Sequence, residues 1–123
     1  MVLKDRLYRI RNISANPQQS QVDIGLIRES DIYRGHFPSQ PITPGVALVQ
    51  MAVELASAAS QNAWGDKNEL SLRQVSGVKF FRSINPEEIP SIRYTFTPSD
   101  NGVTKVTVEH DGITLAKMNL KLI

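Results

Sequence analysis

The stretch YRGHFPSQPITPGVALVQMAVELA, residues 33–56, decides how the chain is read. Its first thirteen residues hold one histidine, three prolines and two glycines, and an abrupt run of helix formers follows. That density of glycine and proline excludes regular structure over residues 31–44. From Gly45 to residue 62, good helix formers predict a helix of about eighteen residues, about 27 Å long. Thr43 or Pro44 stands at its start and Gly65 just past its end. Val46, Leu48, Val49, Met51, Val53 and Leu55 cover most of its circumference, so it is expected to be buried.

Outside this helix the chain reads as β. Residues 1–15 alternate loosely and suggest an edge strand after a short lead-in. A turn at 16–19 leads into a strand over 21–28, with Val22, Ile24 and Leu26 on one face. Runs at 72–81 and 91–97 are further strands, the second with Ile92, Tyr94 and Phe96 on one face. Turns at 99–102 and at Asp111-Gly112 separate two more, over 103–110 and 113–122. The last three strands therefore form an antiparallel meander. One long helix with five or six strands and no repeated crossovers gives an α+β class, a curved antiparallel sheet wrapped around the helix.

Bulk properties bound the function. A chain of 123 residues fits one domain, 1–123. The absence of cysteine excludes disulfides, thiolate chemistry and cysteine-built metal sites. Two distant histidines give no metal-ligand spacing, so no metal is expected. A formal charge of +2, without a basic block, argues against nucleic acid. No window is long enough for a membrane span, and the first residues lack a signal-peptide core, so a cytoplasmic location is expected.

Three features carry chemistry. His36 is the residue of the loop with a natural pKa near neutrality, suited to a general base, to ligand binding or to a structural bond to a loop carbonyl. Gly45 opens the helix, where N–H groups lack intrahelical partners; a carbonyl oxygen there would be stabilised as it gains charge. Gln50, Glu54, Ser57 and Gln61 recur at helical spacing and form one polar stripe. That stripe faces water, a subunit seam or, at Gln50, a site. His110, beside a turn, reads as an exposed turn residue.

The segment Gly35-His36-Phe37-Pro38-Ser39-Gln40-Pro41-Ile42-Thr43-Pro44-Gly45-Val46 resembles the signature loop of the hotdog-fold beta-hydroxyacyl-(acyl carrier protein) dehydratases of bacterial fatty-acid synthesis. Residues 23–32 and 78–90 are similar to the family's flanking strands. The resemblance implies a hotdog fold and a homodimer with continuous sheets, assembled further into a trimer of dimers, or a heterodimer with a homologous active subunit. It implies a site shared across the seam, with His36 as base, Gly45 polarising the thioester carbonyl, and Gln50 where the family has its acid. Glutamine has no titratable proton, so elimination of water from a 3-hydroxyacyl thioester is expected to be weakened at that step. Glu54, one turn on, is a displaced acid only if the pocket shifts towards it.

The resemblance further implies an acyl group on the phosphopantetheine of an acidic acyl carrier protein, with no dissociable cofactor. Phe37, Pro44, Val46, Val49, Val53, Phe80 and Phe81 are candidates for an acyl tunnel, and the apolar ones among them equally for core. Arg34, Lys79 and Arg82 are candidates for a positive mouth facing the carrier, and equally for solvated surface. Two other readings stay open: a noncatalytic acyl-thioester or carrier-protein binding subunit, and a hotdog thioesterase.

Overall fold

The computed structural model describes residues 2–35, 41–64 and 70–123. Six strands form one antiparallel sheet around one long helix. The elements are β1 (Tyr8–Ser14), β2 (Ser20–Leu26), a short 3-10 turn (Asp31–Gly35), α1 (Gly45–Trp64), β3 (Leu72–Phe80), β4 (Ser91–Pro98), β5 (Val103–His110) and β6 (Ile113–Leu122). The spatial order is β1-β2-β4-β5-β6-β3. The meander β4-β5-β6 is present as expected, and β1 is an edge strand.

Alternation explains the core. Val22 and Ile24 of β2, Ile92, Tyr94 and Phe96 of β4, Val106 and Val108 of β5, and Met118 and Leu120 of β6 all turn inward. Against them α1 lays Leu48, Met51, Ala52, Leu55 and Ala59, all buried. The helix packs beneath β1, β2 and β4. Tyr94 fixes its axial position, because its buried hydroxyl donates to the Leu48 carbonyl at 2.9 Å. Burial pushes the pKa of that hydroxyl up and keeps it a donor.

β3 departs from the expectation that the sheet wraps the helix closely. Every residue of this edge strand is exposed, including Leu72, Val75 and Phe80, whose register partners Leu122, Leu120 and Ala116 place them on the helix side. Among the described residues the helix packs mainly under β1, β2 and β4, and at β3 its first residue, Gly45, meets the Phe80 ring. Phe80 and Phe81 are each 52 % exposed, which removes the reading of either as core.

The N-terminal lead-in is tied to the helix by Glu54. Its carboxylate accepts from the Leu3 N–H at 2.8 Å, the Lys4 N–H at 2.9 Å, the Tyr8 hydroxyl at 2.8 Å and Gln50 Nε2 at 2.8 Å. Burial first, then the bond to Glu54, pushes the Tyr8 hydroxyl's pKa well up, so it stays a donor. Arg6 adds an exposed pair with Asp31 at 3.2 Å, whose hydrogen bond lowers the Asp31 pKa; in full solvent it guides the chain more than it stabilises it.

Two consequences are measurable. Glu54→Gln turns an amide N–H towards donors that need an acceptor. It should cost about 1.5–3 kcal/mol in urea denaturation and speed exchange of the Leu3 and Lys4 amides; unchanged exchange would mean that the segment is held by something else. Tyr94→Phe removes one donor from a carbonyl within a helix and should cost only about 0.5–1.5 kcal/mol.

Candidate functional site

The helix N-terminus is assembled from three segments. Pro44 supplies the first accepting carbonyl, to the N–H groups of Ala47 at 3.0 Å and Leu48 at 3.2 Å. Thr43 is buried and does not cap the helix with its side chain. Its hydroxyl pairs instead with the buried Tyr33 hydroxyl at 3.0 Å, and its N–H donates to the Ile84 carbonyl at 2.8 Å. The Tyr33–Thr43 bond thus fastens together the two ends of the segment that carries His36. His36 and Phe37 themselves lie outside the described residues.

Gly45 is at the floor of a pocket of about 330 Å³ that also involves Thr43, Leu48, Phe80, Phe81 and Arg82. The Phe80 ring lies so close that a Cβ on residue 45 would sit 2.7 Å from its edge. A side chain at residue 45 would therefore have to displace the half-exposed Phe80 ring. Phe80, Phe81, Arg82 and Gly45 thus line one pocket. Pro44 is half-buried beside them, and Val46 is 81 % exposed on the next helical position.

Gln50 is not in this pocket. It lines a second one, of about 380 Å³, with Glu54, Val53, Tyr8, Lys4 and Gln61. The polar stripe is thus a real surface, but neither solvent nor a single role accounts for it. Ser57 is buried and its hydroxyl accepts the Leu70 N–H at 2.9 Å, and Glu54 is occupied as described. Glu54 has backbone and side-chain donors on both oxygens, so its geometry is that of an anchor and not of a displaced acid. Because a carboxylate only accepts, it also fixes the Gln50 amide with an N–H turned towards it. Val49 is partly buried against the core.

The three basic candidates are dispersed. Arg34 lines a separate pocket of about 270 Å³ with Arg28 and Tyr33. Arg82 lines the Gly45 pocket. Lys79 pairs in register with Lys117 on the opposite, convex face of the sheet. His110 is corrected too: it is half-buried, and its Nδ1 lies 2.7 Å from the Ser91 carbonyl, while Nε2 lies 3.3 Å from Asp111. Nothing in the sequence marks Ser91 as its partner, since a backbone carbonyl has no residue type. Among the described residues no cluster of metal-ligating side chains occurs, and no helix is long and apolar enough to cross a membrane.

With this geometry established, the chain's relatives can be compared. A 3-hydroxyacyl-[acyl-carrier-protein] dehydratase FabZ of Ruminiclostridium cellulolyticum is 26% identical over 119 residues, 94% of this chain and 75% of that protein. The FabZ of Rickettsia felis is 30% identical over 106 residues, 81% of this chain and 64% of that protein. In structure the chain resembles the dehydratase heterocomplex ApeI:P from Xenorhabdus doucetiae, with a TM-score of 0.69 and 19% identity over 93% of this chain and 96% of the other. The long helix against a multi-stranded antiparallel sheet is the hotdog fold. Residues 12–117 match the family model described as ApeI-like, ApeI dehydratase. The chain belongs to the ApeI-like dehydratase family of hotdog proteins.

Proposed function

We propose that this chain is one member of a two-chain dehydratase that converts 3-hydroxyacyl thioesters on an acyl carrier protein to trans-2-enoyl thioesters and water. The observation that carries this reading is the separation of Gly45 and Gln50 into different pockets. Five helical residues turn the backbone through about 500°, leaving the two positions about 140° apart around the axis. One chain therefore offers two half-sites, and a second chain must complete each. The ApeI:P structure is described as a heterocomplex, which supports a homologous partner here.

In this reading His36 removes the proton on the carbon alpha to the thioester carbonyl. The electron pair moves onto the carbonyl oxygen, and the Gly45 N–H holds the resulting enolate. The enolate then re-forms the carbonyl as the C2–C3 double bond forms and the C3–O bond breaks. The departing hydroxyl takes a proton from a carboxyl group and leaves as water. Gln50 has no such proton and Glu54 is engaged as an acceptor, so the acid is supplied by the partner.

The free β3 edge supports the mode of pairing. A long edge strand with uncovered apolar residues is a liability unless another strand joins it. A second copy, or a homologous chain, adding its own strand there would continue the sheet and cover Leu72 and Val75.

The decisive assay follows enoyl formation and thiol release separately, for this chain alone and mixed with a homologous chain bearing glutamate at the position of Gln50. Elimination at least tenfold faster in the mixture is expected. Free acid and thiol would instead establish a thioesterase, and tight carrier binding without either product would establish a binding subunit. His36→Ala in this chain should abolish the accelerated elimination, whereas unchanged turnover would remove His36 as base.

Gln50→Glu should raise elimination by this chain alone at least tenfold. The new carboxyl would sit at about the present 2.8 Å from Glu54. Two carboxyls that close share a proton, so one stays protonated well above the usual carboxylate range. The acid must be protonated to donate, so the gain should fade as pH rises through the pair's upper apparent pKa. A gain independent of pH, or none in a folded variant that still binds substrate, would contradict this account.

A further inference from the structure

The convex face of the sheet divides into two halves of different charge. Over β1, β2 and β4 carboxylates are set among the arginines: Asp23 holds Arg93 at 2.7 Å, and Glu109 faces Arg93 in register from β5. Over β5, β6 and β3 lysines cluster instead. Lys79 and Lys117 are register partners, and Lys105 lies diagonal to both Lys117 and Lys121, opposite Asn119. All four lysines are exposed, and none makes an ion pair within the described residues. Of the other outward positions there, Gln74, Ser76, Thr107 and Asn119 are uncharged, and Glu109, near the end of β5, faces Arg93.

Like charges directly opposite on neighbouring strands destabilise a sheet. The Lys79–Lys117 pair is a local cost, with no ion pair to offset it among the described residues. We infer that the β5–β6–β3 convex face is a docking surface for an acidic helical protein. This deepens the carrier-protein reading above and rests on it for the partner's identity, while the electrostatics stand on the lysines alone. Opposed lysines about 5 Å apart match the spacing of about 5–6 Å between carboxylates three or four residues apart on a helix. No aromatic or large aliphatic side chain accompanies them, which favours a soluble acidic partner over insertion into a bilayer. Lys79 thus leaves the proposed mouth: its neighbour Phe80 faces Gly45, and Lys79 faces the other side of the sheet.

The test measures binding without turnover, using an acidic acyl carrier protein lacking its phosphopantetheine, so that failure of the dehydratase reading leaves it intact. The carrier should bind the wild-type chain, more weakly as salt rises. Lys117→Glu and Lys105→Glu should each lower affinity at least tenfold, and Arg34→Glu and Arg82→Glu should change it less than twofold. Lys117→Glu should also raise the denaturation midpoint, because it replaces a repulsive pair with an attractive one. Binding lost together with stability would mark a folding effect and overturn the proposal. So would carrier binding that responds only to Arg34 and Arg82, binding of phosphatidylglycerol vesicles through the lysines without carrier binding, or no binding at low salt.

Discussion

The rotation of an α-helix by about 100° per residue is the constraint on which this molecule depends. Helix α1 must bury Leu48, Met51, Ala52 and Leu55 under the sheet, and that choice fixes where every other residue points. Gly45 is then directed towards Phe80, and Gln50 towards the N-terminal segment. No adjustment of side chains brings them together, because the core between them is close-packed. In one chain the buried helix therefore presents Gly45 and Gln50 to different pockets.

The same constraint gives Glu54 its role. It lies one turn beyond Gln50, at the boundary between the helix and the lead-in to β1. The N–H groups of Leu3 and Lys4 precede any strand and need an acceptor. Glu54 supplies it and also fixes the Gln50 amide. The Gln50 side chain is thus held by a carboxylate that is itself committed to the fold, so the setting of residue 50 and the seating of residues 3–8 are coupled.

The helix, the meander and the class of fold were legible because they rest on periodicity and on Asp-Gly turns that need no distant partner. The loop resemblance pointed to Gly45 through glycine and proline spacing alone. What was not legible rests on backbone groups or on irregularity. Glu54 and His110 each bond main-chain atoms, about fifty and nineteen residues away, that carry no sequence signature. Lys79 was misplaced for a different reason. Strict alternation puts Val75 and Lys79 on one face, but the irregularity between Ser76 and Lys79, with Gly77 at φ 58°, puts them on opposite faces.

The two edges of the sheet are built differently, and the difference bears on assembly. β1 is blunted: Arg9 and Arg11 project from it, its pairing with β2 is irregular between Ile10 and Asn12, and Arg11 folds across Gly25, where a Cβ would lie 2.7 Å from the guanidinium. β3 has a bulge but keeps Leu72 and Val75 exposed on its helix side. An edge that is charged and irregular resists a further strand; an edge with an uncovered apolar face invites one. The same strand carries Phe80 to the Gly45 pocket on one side and Lys79 to the lysine face on the other.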